Sequence, residues 1–198
     1  MREIKVTLLY PPEQTWPGSM CKPNGSLAYP MLGGALREAG IEVNVFDACV
    51  GNEKDDLHQT FYTSVPLPSG MFRTGTTDER ILEEIENSDI IGITSIFSHQ
   101  ETMVLNTIKL IKKHYPNKLV VTGGVNARHR TESFFDAGTD IICTSEAEKT
   151  IVDIARVVQK GTNDFSTISK IIFKHDENIH ISKVKEDIIW DLDFLPMP

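Results

Sequence analysis

Cysteine is scarce in this 198-residue sequence: Cys21, Cys49 and Cys143 are its three thiols, widely separated and never in a C-x-x-C pair. An odd, scattered set gives neither a disulfide framework nor the close pairs that anchor a cysteine metal site, so reduced thiols and a cytoplasmic chain are expected. Long apolar runs are also lacking. No segment reaches the roughly 18 consecutive apolar residues of a membrane span. The N-terminus, MREIKVTLLYPP, has no cleavage site of small residues and reads as a first strand rather than a secretory signal. Positive charge is in deficit, with 20 Lys and Arg against 28 Asp and Glu and a net charge of -8, which argues against a nucleic-acid backbone as main partner. A G-x-G-x-x-G turn after the first strand is absent, against a nucleotide- or flavin-binding module. Asp47 alone is not the acidic cluster that a phospho-receiver of similar topology needs.

What is present is an alternation of strand and helix signals, the mark of βαβ crossovers and a parallel sheet. A first strand is predicted over about Ile4 to Tyr10, stopped by Pro11 and Pro12, with a long Pro-, Gly- and Ser-rich loop to about Leu27. A helix follows with Pro30 in its first turn and Gly40 as its left-handed end. Gly33 and Gly34 within it point to close packing. EVNVFD is the second strand; Ala48 to Gly75 shows no period and is expected to be loop with one short helix. Thr76 and Glu79 form a T-T-D-E capping box for a helix through about Glu86. DIIGIT, KLVVT and DIICT supply three more strands, separated by helices over about 100–115 and 130–138, and a last helix runs from Glu148 to Lys160. The prediction is a doubly wound five-stranded parallel α/β sheet over residues 1–163. After Gly161, SKIIFKHDENIHISKV alternates about a turn and predicts a β-hairpin, the start of an appendage over 164–198. The final IIWDLDFLPMP, apolar with two prolines, reads as a linker.

Two junctions stand out, SDIIGITSIFSHQ at Ser88 to Gln100 and KLVVTGGVNA at Lys118 to Ala127. Each is an apolar strand ending abruptly in small residues. Carboxyl ends of parallel strands line the ligand crevice of such sheets, and small residues there leave room for a cofactor. By itself a GG after a strand is more often a tight turn. His99 and His129 fall in the loops of these junctions and read as exposed. Glu146 and Glu148 open the last helix, where its dipole favours negative charge.

The order and spacing of several motifs over nearly the whole chain resemble the N-terminal cobalamin-binding domain of cobalamin-dependent radical S-adenosylmethionine enzymes, a Rossmann-like, flavodoxin-like fold. They are the opening strand with YPP, P-x-L-G-x-x-L-x-x-x-G at Pro30 to Gly40, V-x-V-x-D at Val43 to Asp47, and DIIGITS-x-F at Asp89 to Phe97. Gly123-Gly124, the G-x-D-x-I-x-x-x-E-x-E run at Gly138 to Glu148, and DLDFLPMP, similar to the linker before the radical domain, complete the set. Of the three marks of methionine-synthase-type domains, Gly123-Gly124 matches GG, and Thr94-Ser95-Ile96 stands where S-x-L falls. D-x-H-x-x-G has no counterpart, since the loop from Pro11 to Tyr29 contains no histidine.

The resemblance implies cobalamin (vitamin B12, a cobalt corrinoid) bound base-off and histidine-off. The nucleotide tail would need a deep slot, which Gly123 and Gly124 would open by having no side chains, and hydrogen-bonding partners, for which Thr94, Ser95 and Ser98 are candidates. The corrin disc would rest over Ile96, Phe97, Val125 and the first loop, which brings in Pro11 and Pro12. Asn126 follows the GG pair, and Ser145 and Glu146 stand where the family often has G-E-G-E. Gln14, Trp16 and Cys21 lie in the first loop near the upper face. No residue of the chain is assigned a catalytic or metal-ligating role. S-adenosylmethionine and a 4Fe-4S iron-sulfur cluster are expected only in a further C-terminal radical domain, because C-x-x-x-C-x-x-C does not occur here. By resemblance the complete enzyme would most often be a methyltransferase, with no nucleic-acid or membrane partner. The alternatives are a cobalamin carrier or sensor without catalytic partner, or another small-molecule-binding doubly wound domain.

Overall fold

The computed structural model describes residues 2–19, 26–176 and 178–185. Cys21, Glu177 of the hairpin turn and the DLDFLPMP run lie outside the described residues. The first strand, β1 (Lys5–Tyr10), is buried from Val6 onward, as its apolar run demands of a strand covered on both faces. Pro11 and Pro12 end it and lead into a short β2 (Glu13–Thr15). α1 (Ala28–Glu38) carries Pro30 in its first turn, where a missing N–H breaks no helical bond. It ends at Gly40, φ 72°, with the Ile41 N–H donating to the Leu36 carbonyl at 2.9 Å. Gly33 faces Val45 of the following strand, β3 (Glu42–Asp47).

Between Ala48 and Gly75 the chain is more ordered than its aperiodic sequence predicts. Beside the one short helix expected there, α2 (Leu57–Thr60), it forms β4 (Val65–Pro66) and β5 (Phe72–Thr74), and β5 pairs antiparallel with both β4 and β2. Strands of two or three residues cannot display an alternation, so this second sheet leaves no periodic signal. α3 (Asp78–Ile85) is capped by the Thr77 side chain, which accepts from the Arg80 N–H at 3.2 Å, one residue later than the capping box suggests. Thr76 is instead tied backward by its N–H, 2.7 Å from the Ala48 carbonyl.

The remaining elements are β6 (Ile90–Thr94), a 3-10 turn at Ser98–Gln100, α4 (Glu101–His114), β7 (Leu119–Gly123), α5 (Val125–His129), α6 (Thr131–Ala137), β8 (Ile141–Cys143) and α7 (Glu148–Gln159). A hairpin of β9 (Ile171–His175) and β10 (Asn178–Ile181) follows. No described helix is long and apolar enough to cross a membrane.

The main sheet has the order β10-β9-β8-β7-β6-β1-β3. β3, β1, β6, β7 and β8 run parallel, as the alternating pattern predicts, while β9 joins β8 antiparallel and β10 joins β9. The hairpin thus docks by extending the sheet. Numbered among themselves, the five parallel strands lie 2-1-3-4-5, and the direction of winding reverses between β1 and β6. Two apolar clusters follow from this winding. One packs Leu36, Ile151 and Ile154 of α1 and α7 on Leu8, Val121 and Ile141; the other packs Ile81, Ile108 and Phe134 of α3, α4 and α6 on Ile91 and Val120.

Candidate functional site

Where winding reverses, the helices after β1 and β6 leave on opposite faces and a crevice opens at the carboxyl edge. A cleft of about 220 Å³ occupies this position, between the sheet and helices α1 and α7. Strand register orders its floor into rows. Leu8 of β1 lies opposite Gly92 of β6, which lies opposite Val121 of β7. One step toward the carboxyl edge, on the same face, Thr94 lies opposite Gly123, and Cys143 borders them from β8. Ala28, Tyr29 and Leu32 of α1, with Ile151 of α7, form the roof.

The two glycines that end β7 have different tasks. A Cβ built on Gly123 would approach the Cys143 Cβ at 3.8 Å, an ordinary contact, so the absent side chain leaves usable space in the cleft. A Cβ on Gly124 would collide with the Ser95 carbonyl oxygen, and the residue has φ 96°. Gly124 is therefore needed for close passage of two backbones, the loops after β6 and β7. Ser95 and Asn126 stitch the same loops: the Ser95 N–H donates to the Gly123 carbonyl at 2.8 Å, the Asn126 N–H to the Ser95 carbonyl at 3.1 Å, and the Asn126 amide to the Ser95 hydroxyl at 3.0 Å.

Of the sequence-predicted residues, Thr94, Ile96, Gly123, Gly124, Ser145 and Glu146 line the cleft. Ser95 and Asn126 lie buried beneath its edge. Phe97 and Val125 are half exposed on the rim, and the exposed Ser98 begins the 3-10 turn. His99 stacks on Phe97 with ring centres 5.5 Å apart. Pro11 and Pro12 are buried behind the first loop, where the Cys49 thiol donates to the Pro11 carbonyl at 3.3 Å. Trp16 is 71% exposed on that loop. Ser145 donates to the Glu146 carboxylate at 2.6 Å; this bond and the residue's own N–H hold the Glu146 carboxyl below the usual glutamate range.

Tyr29 and Gly92 are the principal residues that the sequence does not single out. The Tyr29 hydroxyl donates to the Leu9 carbonyl at 2.6 Å and accepts from the Thr94 N–H at 3.2 Å, bridging the ends of β1 and β6 where the winding reverses. Burial drives its phenol pKa far above the ordinary tyrosine value, so it stays protonated. A glycine inside a buried strand signals close approach, and at Gly92 the Leu8 side chain fills the space a Cβ would take, at 2.9 Å. Beside the crevice, Gln100 donates to the Tyr10 hydroxyl at 2.6 Å, which donates to Glu13 at 2.9 Å, closing the first loop onto the turn after β6.

A larger trough, about 940 Å³, opens at the opposite, amino-terminal end of the sheet. Several of its cations are already engaged: Lys112 with Asp140 at 2.7 Å, Arg2 with Asp89, and Lys118 with the carbonyls of Glu86 and Ser88 at 2.6 Å. Ligands of open α/β sheets bind outside the carboxyl ends of strands, so the smaller cleft is the candidate site.

Comparison with known proteins bears on the family and the fold. Cytidylyl-2-hydroxyethylphosphonate methyltransferase of Streptomyces wedmorensis is 25% identical over 156 residues, covering 76% of this chain and 28% of its own. The radical S-adenosylmethionine methyltransferase TsrM of Kitasatospora setae, solved with cobalamin and a 4Fe-4S cluster bound, superposes with a TM-score of 0.67 at 16% identity, over 96% of this chain and 30% of that one. The cobalamin-dependent S-adenosylmethionine radical enzyme OxsB, solved with aqua-cobalamin and S-adenosylmethionine bound, gives 0.65 at 20% identity, over 94% of this chain and 23% of that one. The chain spans less than a third of the length of each. The B12 binding domain family model matches residues 25–155, well over half of the sequence. The chain belongs to the B12-binding domain family.

Proposed function

We propose that this chain holds cobalamin with its nucleotide tail withdrawn from the cobalt into the cleft under α1, that no histidine of the chain takes the tail's place, and that it serves as the cofactor domain of a radical S-adenosylmethionine methyltransferase. The observation that carries the reading is Gly123: at the carboxyl edge of the sheet, in line with Thr94, it leaves open space that any larger side chain would occupy. The donor set suits the group. The floor and roof are mostly apolar, as a heterocyclic base requires, and the polar residues Thr94, Ser145, Glu146 and Glu148 gather toward the carboxyl edge, where the sugar and phosphate of a tail would enter. Among the described residues no histidine lines the cleft.

In this reading Gly123 clears the path, and the Thr94 hydroxyl donates to a tail oxygen. Glu146, ionised at neutral pH, accepts from amide or hydroxyl donors at the mouth. Ile96, Phe97 and Val125, which expose apolar surface on the rim, cover one face of the disc and exclude water from it. Pro11 and Pro12 fix the course of the first loop, and Ser95 and Asn126 keep the two loops beneath the rim in register. Cobalamin, when bound, supplies a cobalt centre able to carry a methyl group.

Residues 1–163 form the cofactor domain in this proposal, and 164–198 lead toward a C-terminal domain that holds S-adenosylmethionine and the 4Fe-4S cluster, in a cytoplasmic enzyme. The names of the Streptomyces and Kitasatospora relatives support a methyltransferase. Incubation of the purified chain with hydroxocobalamin, followed by desalting and absorbance measurement, tests the binding. Near-stoichiometric retention of the corrinoid spectrum is expected; a colourless protein contradicts the proposal.

A further inference from the structure

We infer that the cleft selects among corrinoids by the polarity of their lower base, accepting a benzimidazole and discriminating against a purine. The inference rests on the proposal that the tail enters the cleft, and it adds which tail. Leu8, Gly92 and Val121 make the inner row of the floor, with Leu32 and Ile151 above it, and none of these side chains carries a hydrogen-bonding group. Ile93 and Thr122 border the cleft through their backbones, because strand alternation turns their side chains to the other face, where Ile93 joins the opposite cluster. Ser145, Glu146 and Glu148 belong to the mouth, since they follow the carboxyl end of β8.

Among the described residues three polar side chains remain within the cleft, and two are unsuited to a polar base. The Tyr29 hydroxyl already donates to the Leu9 carbonyl and accepts from the Thr94 N–H. The Cys143 thiol is a weak donor, and burial pushes its pKa up to about 12, so it remains a neutral thiol. That leaves the Thr94 hydroxyl, in the outer row.

Dimethylbenzimidazole presents carbon and two methyl groups along its outer edge, which match Leu8, Val121, Leu32 and Ile151. Adenine presents an exocyclic amine and ring nitrogens along the same edge. Drawn into the cleft, these lose water and meet no side-chain partner in the inner row, a penalty that weakens binding about ten- to a hundredfold.

The test is an absorbance titration of the purified chain with three corrinoids: cobalamin, the cobamide with adenine as lower base, and cobinamide, which lacks the nucleotide. The inference expects cobalamin to bind at least about tenfold more tightly than the adenine form, and cobinamide to bind more weakly than cobalamin. Equal affinity for cobalamin and the adenine form, with cobinamide weak, overturns the selectivity while leaving the tail in the cleft. Equal affinity for all three overturns the inference by showing that the cleft does not hold the tail. Failure of all three to bind removes the proposal of cobalamin binding and this inference with it.

Discussion

Gly123 and Gly124 are adjacent and chemically identical, yet they answer to different constraints. Gly123 keeps space free in the cleft, whereas Gly124 lets its backbone pass the Ser95 carbonyl at a positive φ. The two substitutions should therefore separate binding from stability. Gly123→Leu fills the cleft and is expected to abolish cobalamin retention while changing unfolding free energy by no more than about 1 kcal/mol. Gly124→Ala places a Cβ against the Ser95 carbonyl and is expected to cost about 1–3 kcal/mol. Denaturant titration beside corrinoid retention reads both, and a Gly123→Leu chain that binds normally contradicts the assignment. The glycine pair was legible in the sequence because two glycines after an apolar strand are conspicuous. Their division of labour was not, because it depends on the direction in which each missing Cβ would point. Tyr29 was illegible for a related reason: an aromatic residue at a helix start reads as core, and only tertiary contacts reveal a hydroxyl bridging two diverging strands.

At the scale of elements, long periodic segments were legible, as were the short apolar β8 and the one short helix expected between Ala48 and Gly75, whereas other short elements were not. α4 and α7 show their apolar faces at helical spacing, and β1 and β6 are mostly apolar runs. β2, β4, β5 and α5 have two to five residues each, too few for a period, and the segment carrying β4 and β5 is held by tertiary contacts instead. Arg80 of α3 ties the start of that segment to the helix: it pairs with Asp55 at 3.0 Å, with Glu84 of its own helix at 2.7 Å, and lies over the Phe46 ring at 5.0 Å. Burial opposes ionisation of Glu84, but hydrogen bonds from Arg80 and Asn44 and the Arg80 charge prevail, holding its carboxyl below the usual range. The folded pKa lies below the unfolded one, so this contribution is complete above the ordinary glutamate range and is lost as pH falls through the folded value. Arg80→Met is therefore expected to cost about 1–3 kcal/mol at pH 7. Urea unfolding should show that deficit shrinking as pH falls below the ordinary glutamate range; an unchanged deficit contradicts the pairing.

For the whole molecule, the order of its parts explains why the site is where it is. Five parallel strands in the order 2-1-3-4-5 leave one reversal of winding, and the cleft with its glycine-ended strand lies beside it. The strand count and the parallel direction were readable from the alternation of elements. The place of the hairpin was not: an alternating pair can extend a sheet or pack on its face, and here Ile171–His175 pairs with Ile141–Cys143, a partner that local sequence does not name. The histidine-free first loop and the space beside Gly123 meet in one claim, that the chain binds cobalamin with neither its own base nor a histidine on the cobalt. The most direct test is the electron paramagnetic resonance spectrum of the chain with one equivalent of cobalamin reduced to the Co(II) state. The account predicts a spectrum without nitrogen superhyperfine splitting, since no benzimidazole or imidazole nitrogen would sit on the cobalt. A triplet splitting of the cobalt lines, from unbound base-on cobalamin or from a nitrogen ligand in the bound state, would contradict it.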